Sequence, residues 1–367
     1  MVHCILIMCV LLAVPIDKNK QKKVNLYWLS FVVLTVFSAL RYGFGNDYFS
    51  YKKIFDSIHG KGDAGIATYY EKQLLFTIFN KISPSFYFFI GLTSVCFLIT
   101  VYFLIYKNCY KKYRWLAVAV FLINPYLFLI NLSAIRQCMA MVLFIVAVDF
   151  AYKKNFIVYI LLIAAATLFH TSAIILLPVY FILNEKPVGN IMILFIVGVV
   201  CFLLLTPNFL KELIEKVIRA IFHETNYDLY LNGENSFRAT ILSSVYFFYV
   251  LFNIKYLNGK NLVYAKLYLL GTIFNILAFR FSMLTRITMY FDIFSVVVIP
   301  CLFEESLTSE RSQMIHIKRK GENLYALMNR YMFPCLIFVI YALRYYSFFT
   351  NPLWESFRVY RTIFSAR

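Results

Sequence analysis

The chain has 367 residues, of which 62% are hydrophobic and only 15% are charged. Soluble domains carry about 25% charged and about 45–50% apolar residues, so this composition excludes an ordinary soluble globular protein. The formal net charge of +18 does not indicate a nucleic-acid partner here, because basic loops orient membrane helices and contact anionic lipids.

Apolar runs follow one another along the chain, and each is about as long as the hydrocarbon core of a bilayer requires. The runs are continuous rather than alternating, which favours helices over a β-barrel. We therefore predict an all-α, polytopic transmembrane helical bundle with about twelve spans, forming a single integral membrane domain over 1–367. The spans are predicted near 1–16, 25–41, 84–106, 115–133, 136–152, 155–169, 171–184, 190–206, 239–254, 264–280, 286–303 and 331–349.

Two longer segments separate some of these spans, 42–83 and 207–238. The first contains YYEKQLLFTIFNKISP, a candidate for a helix lying in the membrane interface, and the second contains the amphipathic NFLKELIEKVIRAIF. The eight cysteines lie mostly in apolar runs, without a CxxC pair or a Cys/His cluster. We therefore expect neither a disulfide framework nor a metal site.

The loops differ in their content of basic residues. The loops at 18–23 and 107–114 each contain four Lys or Arg, whereas the short loops on the opposite face contain few. An excess of Lys and Arg in short loops marks the cytoplasmic side of a membrane protein. Both termini and the segments 42–83 and 207–238 are therefore predicted on the outer face.

This orientation places a set of ionisable residues at helix ends on the outer face, where the cytoplasmic Lys/Arg bias does not explain them. One arginine at a span end can simply extend to the lipid headgroups, but several ionisable groups from separate spans indicate one shared site. The set consists of Arg41, Asp47, Arg136, His170, Arg280 and Arg286.

Each group in this set has a chemistry that suits an anionic lipid substrate. The planar fork of arginine suits phosphate and pyrophosphate, so we predict pyrophosphate binding by Arg136, Arg286, Arg280 and Arg41. Within the set, Asp47 and His170 are the groups that can accept a proton near neutral pH, and either could be the catalytic base. Substrate-binding hydroxyls and rings are predicted at Tyr48, Tyr51 and Tyr290.

The segment RYGFGNDYFSY (41–51) is predicted to fold over the outer helix ends. Gly43 and Gly45 would supply a sharp bend, so that Asp47 faces the same cavity as Arg136 and His170. The sequence lacks a Walker loop, GxGxxG, HExxH and an outward-facing DxD. Their absence argues against ATP hydrolysis, nucleotide-sugar use and metalloprotease chemistry, so we expect no metal and no cofactor.

Several short motifs together resemble the EpsG family, a branch of the Wzy-type O-antigen and exopolysaccharide polymerases. They keep their order along nearly the whole chain and fall on the predicted outer face. The motifs are RYGFGNDY (41–48), IRQ (135–137), FHTSA (169–173), RITMYF (286–291) and the tail NPLWESFRVY (351–360).

The resemblance implies a GT-C-like or ligase-like bundle in the bacterial inner membrane, with its active site on the periplasmic face. It implies a metal-independent glycosyltransferase of polysaccharide or lipopolysaccharide biosynthesis. Donor and acceptor would be glycans on undecaprenyl pyrophosphate, and the expected partners are membrane lipid and a chain-length regulator, not nucleic acid.

The alternatives are a flippase for lipid-linked oligosaccharide or another anionic lipid and, less favoured, a membrane acyltransferase. A flippase would carry charge on both sides of the midplane, whereas these charges cluster on one face, with Asp149 and Asp292 as exceptions.

Overall fold

The computed structural model describes residues 1–18, 22–24, 26–71, 73–186, 189–206, 208–209, 211–212, 215–216, 237–304 and 333–365. These residues are mainly helical, which confirms the predicted all-α class. The α-helices are α1 (Val2–Ala13), α2 (Tyr27–Ala39), α3 (Tyr48–Ile58), α4 (Ala64–Glu71), α5 (Leu74–Lys81), α6 (Phe86–Asn108), α7 (Arg114–Ile123), α8 (Leu129–Ser133), α9 (Ile135–Tyr152), α10 (Phe156–Phe169), α11 (Asn190–Leu205), α12 (Phe237–Asn253), α13 (Gly259–Leu277), α14 (Leu284–Asp292), α15 (Ser295–Glu304) and α16 (Phe333–Thr350).

The described residues also contain four short strands, two longer 3₁₀ helices and the three-residue 3₁₀ turns Lys111–Tyr113, Ile254–Tyr256 and Ile363–Ser365. The 3₁₀ helices are Thr171–Ile182 and Pro352–Phe357. The strands are β1 (Ile16–Lys18), β2 (Lys22–Val24), β3 (Arg41–Tyr42) and β4 (Arg361–Thr362), paired β1 with β2 and β3 with β4, both antiparallel.

Three of the predicted spans differ in detail from a single α-helix. The span 115–133 is broken after α7, because Pro125 disfavours the helical conformation in Asn124, which is extended. The span 171–184 is a 3₁₀ helix that contains Pro178. The span 286–303 consists of α14 and α15, which are bent by 51° relative to each other.

In the described part of the chain, two helices, α6 and α9, are long and apolar enough to cross a membrane by themselves. The bent pair α14 and α15 gives a third if it is taken as one span. Shorter apolar helices, among them α1, α2 and α10, accompany them. The membrane-protein class agrees with this pattern, while the count of about twelve spans stays a prediction.

The described residues form two compact units. The first consists of Met1–Leu183, Ile299–Glu304 and Phe338–Arg367, and the second of Asn184–Val298 together with 333–337. The organisation as a single membrane domain stays a prediction.

In the first unit, α9 and α10 form an antiparallel hairpin. The turn between them has Lys154 at φ 61°, and the Asn155 side chain caps α10 by accepting a hydrogen bond from the Val158 amide at 3.2 Å. The hairpin brings the beginning of α9, which carries Arg136, and the end of α10, which precedes His170, to the same end of the unit.

Both termini lie at that end of the first unit. His3 contacts the rings of Tyr345 and Phe349 near the end of α16, and β3 pairs with β4 in the tail. The segment 42–83, predicted to hold one interfacial helix, contains the three short helices α3, α4 and α5. The segment 207–238 falls almost entirely outside the described residues. The common end agrees with the predicted topology, and its location outside the cell stays a prediction.

We predict that Gly271→Ala destabilises the second unit. A Cβ at this position in α13 would lie 2.8 Å from the Cβ of Phe291 and 3.0 Å from Oδ1 of Asp292 in α14. Such overpacking costs about 1–3 kcal/mol, so the midpoint of thermal unfolding in detergent should fall. Gly198→Ala in α11 is the matched control, because its Cβ would meet no atom within 4 Å. Equal midpoints for the two variants would contradict this account of the packing.

Candidate functional site

Asp47 lies at the junction of α8 and α9 and is held there by Ser133. The amide of Asp47 donates to Oγ of Ser133 at 3.0 Å, and this hydroxyl donates to Oδ2 of Asp47 at 3.3 Å. The exposed carboxylate does not cap α3, although Asp47 directly precedes that helix. Within the described residues this carboxylate forms no ion pair. The neighbouring Lys52 pairs instead with Asp56 at 2.8 Å. Asp47 is thus part of an ordered junction, not simply an ion-paired loop residue.

The predicted glycine bend is present in the segment before Asp47. Gly43 has φ +60° and Gly45 has φ +107°, conformations that L side chains rarely adopt. Gly45 also allows a close approach to α8, because a Cβ there would lie 3.4 Å from the Cβ of Ser133. The bend therefore positions the acid against the beginning of α9.

Arg136 is half-buried in the first turn of α9, among neutral partners. Its Nη1 donates to Oε1 of Gln73 at 3.0 Å, and its guanidinium carbon lies 4.9 Å from the ring centroid of Tyr70 and 6.0 Å from that of Phe76. Its backbone amide donates to the hydroxyl of Tyr51 at 3.3 Å. No carboxylate of the described residues lies within ion-pairing distance of this guanidinium. Its charge is therefore not neutralised by those residues and can interact with an anion.

Arg41 has a different environment from Arg136. Its side chain is only 1% exposed, and its guanidinium donates to the carbonyl oxygen of Ser38, to Oγ of Ser94 at 2.9 Å and to the carbonyl oxygen of Leu132 at 3.0 Å. These partners belong to α2, α6 and α8. The arrangement favours a positioning role for Arg41 over the predicted contact with pyrophosphate.

The tyrosines next to Asp47 are buried. Tyr48 packs against Phe86 with ring centroids 5.2 Å apart, and Tyr51 packs against Phe76 at 6.1 Å. Burial raises the pKa of the Tyr51 phenol, although the charge of Arg136 opposes this effect, so the hydroxyl stays protonated at neutral pH. The role of both tyrosines in substrate binding stays a prediction, and the exposed ring in this segment is that of Phe49.

His170 follows α10 at the same end of the first unit. It is half-buried, and its backbone amide bonds to the carbonyl oxygen of Ala166 at 2.9 Å. Helix α5 lies beside both α9 and α10, because its Phe76 faces Arg136 and its Phe79 packs on Phe169 with centroids 5.2 Å apart. The predicted role of His170 as the alternative base stays a prediction.

Three further candidates belong to the second unit, around the turn between α13 and α14. The Arg280 guanidinium lies 5.0 Å from the Phe279 ring centroid, Arg286 is exposed and Tyr290 is fully buried. The carboxylate of Asp292, at the end of α14, accepts hydrogen bonds from the side-chain amide of Asn275 at 3.1 and 3.3 Å. Two arginines are thus gathered near one turn of this unit, and their contact with pyrophosphate stays a prediction.

The sequence did not identify Gln73, Tyr70 and Phe76 as partners of Arg136. Tyr70 ends up in α4, Gln73 between the two helices and Phe76 in α5, so no single helical spacing within YYEKQLLF signals a common partner. Within the described residues, no group of three or more His, Cys, Asp or Glu side chains forms a metal-ligand set. The expectation of a metal-free reaction stays a prediction.

A comparison with protein-family models matches residues 24–362 to the EpsG family. The chain belongs to the EpsG family. The match covers α2 to β4 and includes both Asp47 and Arg136. Comparisons with curated proteins and with solved structures give no match. The EpsG family is associated with glycosyltransferase-like polymerases, so this chain is a membrane protein of polysaccharide-polymerase type.

We predict that Arg41→Lys destabilises this EpsG-family protein more than Arg136→Lys does. A lysine cannot reproduce the planar fork that reaches Ser94 and Leu132, and each buried polar group left without a partner costs about 1–3 kcal/mol. Arg136 is a matched control because it is only half-buried and has amide and aromatic partners. Thermal unfolding of both variants in detergent measures the difference. Equal losses of stability would argue against a positioning role for Arg41.

Proposed function

We propose that this protein is a polysaccharide polymerase of about twelve membrane spans that acts at the outer face of the bacterial inner membrane. It transfers a glycan from undecaprenyl pyrophosphate onto another lipid-linked repeat unit, without a metal ion. The observation that carries the proposal is the pair of Arg136 and Asp47, held at one helix junction without a neutralising partner among the described residues.

Arg136 is suited to the leaving group of this reaction. Negative charge develops on the pyrophosphate as the glycosidic bond breaks, and preorganised positive groups stabilise such charge most strongly. Neutral partners hold the guanidinium in place, which avoids the competition that a carboxylate would offer. The predicted contact of Arg280 and Arg286 with pyrophosphate is also part of the proposal.

Asp47 is suited to the acceptor side of the reaction. The hydroxyl of the acceptor sugar attacks the anomeric carbon of the donor, its proton passes to a base, and the electron pair of the broken bond leaves with the pyrophosphate. Asp47 or His170 accepts this proton. Asp47 and Arg136 lie at one junction rather than along a path through the bundle, which favours the polymerase over the flippase.

We expect Arg136→Lys to reduce polymer formation at least about tenfold, because lysine keeps the charge but loses the bidentate fork. Purified protein would be incubated with undecaprenyl-pyrophosphate-linked repeat units, and the ladder of products would be resolved on a gel. Arg358→Lys is the matched control, because Arg358 is exposed and its guanidinium bonds to the carbonyl oxygen of Thr350. A full ladder from Arg136→Lys would refute the pyrophosphate role.

We expect Asp47→Asn to lower the rate of polymerisation about 10²–10⁴-fold, the usual range for a lost general base. The amide keeps the shape of the side chain and can still accept from Ser133, so the melting temperature should hardly change. Asp63→Asn is the control, because Asp63 is exposed and asparagine can also accept from the amide of Gly65. His170→Gln in the same assay identifies the base: a near-normal rate for Asp47→Asn with a large loss for His170→Gln would transfer the role to His170.

A further inference from the structure

A recess lies between the bend before Asp47 and the C-terminal tail of the first unit. Its volume is about 250 Å³. The bend contributes Tyr42 and Gly43, the first turn of α3 contributes Phe49, and the tail contributes Glu355, Ser356, Val359 and Arg361. Neither Arg136 nor Asp47 lines it, but Ser356 does, and its hydroxyl donates to the side chain of Asn46, the residue before Asp47. The recess therefore adjoins the proposed reaction site and is separate from it.

Backbone and side-chain hydrogen bonds fix both walls of the recess. The strand pair β3–β4 places Tyr42 opposite Arg361. The Asn46 side chain donates to the carbonyl oxygen of Leu353 at 2.9 Å and accepts from the Ser356 hydroxyl. Binding sites that are formed in advance lose less free energy when they bind a ligand. The recess is therefore a preformed site with fixed walls.

Gly43 keeps the aromatic wall accessible. With φ +60°, it permits the bend, and a Cβ at this position would lie 3.2 Å from the Phe49 ring. The Phe49 side chain is 50% exposed, and its ring packs edge-to-face on Tyr42 with centroids 6.0 Å apart. One side of the recess thus offers an apolar, flat surface.

The tail side of the recess offers polar groups of opposite charge. Glu355 supplies hydrogen-bond acceptors and Arg361 supplies donors. In the part of the chain that the structure describes, neither side chain has an ion-pair partner, although both line the same recess. Both groups can therefore bond to a ligand. The carboxylate of Glu355 also disfavours an anion, which makes pyrophosphate a poor occupant.

A flat apolar face opposite a few polar groups is the pattern of a small-molecule site, and here it matches a sugar ring. A pyranose has a face of C–H groups for the aromatic ring and hydroxyls that both donate and accept hydrogen bonds. The volume lies just below the range of about 300–1,000 Å³ for pockets that take drug-sized ligands. The recess therefore suits one uncharged sugar residue.

We propose that this recess is a subsite that binds one pyranose residue of the glycan, next to the residue that reacts at Asp47. The inference rests on the proposed polymerase function, because that function supplies a glycan at this end of the protein. In the subsite, Phe49 stacks on the sugar ring, and Glu355 and Arg361 bond to its hydroxyls. The subsite thereby contributes to the choice of repeat unit.

The test measures sugar binding without polymerisation. Full-length protein purified in detergent is examined by saturation-transfer NMR with methyl glucopyranosides, galactopyranosides and N-acetylglucosaminides. We expect saturation of at least one pyranoside, an affinity reduced about threefold to tenfold in Phe49→Ala, and a similar loss in Glu355→Gln. Val359→Trp fills the recess from its exposed rim and should abolish the signal without affecting the fold.

Two control variants make the same kinds of substitution at residues that do not line the recess. Phe364→Ala removes an exposed ring of the tail outside the recess, and Glu71→Gln neutralises an exposed acid at the end of α4. Both should bind the pyranosides as the unaltered protein does. The absence of saturation for every pyranoside, or equal binding in Val359→Trp, would overturn the subsite. Displacement of the sugar by inorganic pyrophosphate in preference to other sugars would also overturn it and indicate an anion site.

The subsite and the polymerase function can fail separately. Arg136→Lys should leave pyranoside binding unchanged while it reduces the product ladder. Binding that depends on Phe49 in a protein that makes no ladder would refute the polymerase and keep a sugar site. A normal ladder from Val359→Trp, together with unchanged binding, would refute the subsite and keep the polymerase.

Discussion

The arrangement of the candidate site depends on one buried cation, Arg41. A charge removed from water is costly unless hydrogen bonds replace its hydration, and here two carbonyl oxygens and a hydroxyl replace it. These groups come from α2, α6 and α8, so the three helices cannot separate without leaving a buried charge unsolvated. Leu132, one of the partners, directly precedes Ser133, which holds Asp47. The hydrogen bonds that replace the hydration of Arg41 therefore also help to position Asp47.

Arg41 and Arg136 show how the type of partner determines what an arginine can do. Two carbonyl oxygens and a hydroxyl bind the guanidinium of Arg41, and its side chain is only 1% exposed, so it stabilises the fold but does not reach a ligand. Arg136 has an amide and aromatic faces as partners. Aromatic faces attract a cation without bonding to all its N–H groups. The guanidinium of Arg136 is therefore oriented and still able to bind a phosphate group.

The sequence predicts the helices of this protein better than it predicts their ends and contacts. Apolar runs identified the helices because lipid and protein core demand the same apolar surface. The break at Pro125 has a local cause and was within reach of sequence analysis. The pairing of β3 with β4 was not, because the two strands lie at opposite ends of the chain and each has two residues.

The candidate site shows the same limit. The residue types and their order indicated Arg136 and Asp47, and the glycines indicated the bend that carries Asp47. The sequence could not distinguish Arg41 from Arg136, because both follow an apolar run and only the fold decides which one is enclosed. It also missed Gln73, whose amide matters only through its contact with Arg136.

The lipid-linked substrate of a polysaccharide polymerase has two parts. The pyrophosphate is the same in every reaction cycle, whereas the sugar determines which polymer is made. The pyrophosphate is the constant part, and a charged group at the beginning of a helix, held by several neighbours, suits it because the required geometry never varies. The sugar is the specific part, and the proposed subsite recognises it with weak contacts from a bend and a tail. Weak contacts have a second consequence: the glycan must move by one repeat unit after each transfer, and a tightly held sugar would slow that step. In the proposed mechanism, a strong charge interaction at Arg136 and weak sugar contacts at Phe49 and Glu355 reconcile recognition with movement of the chain.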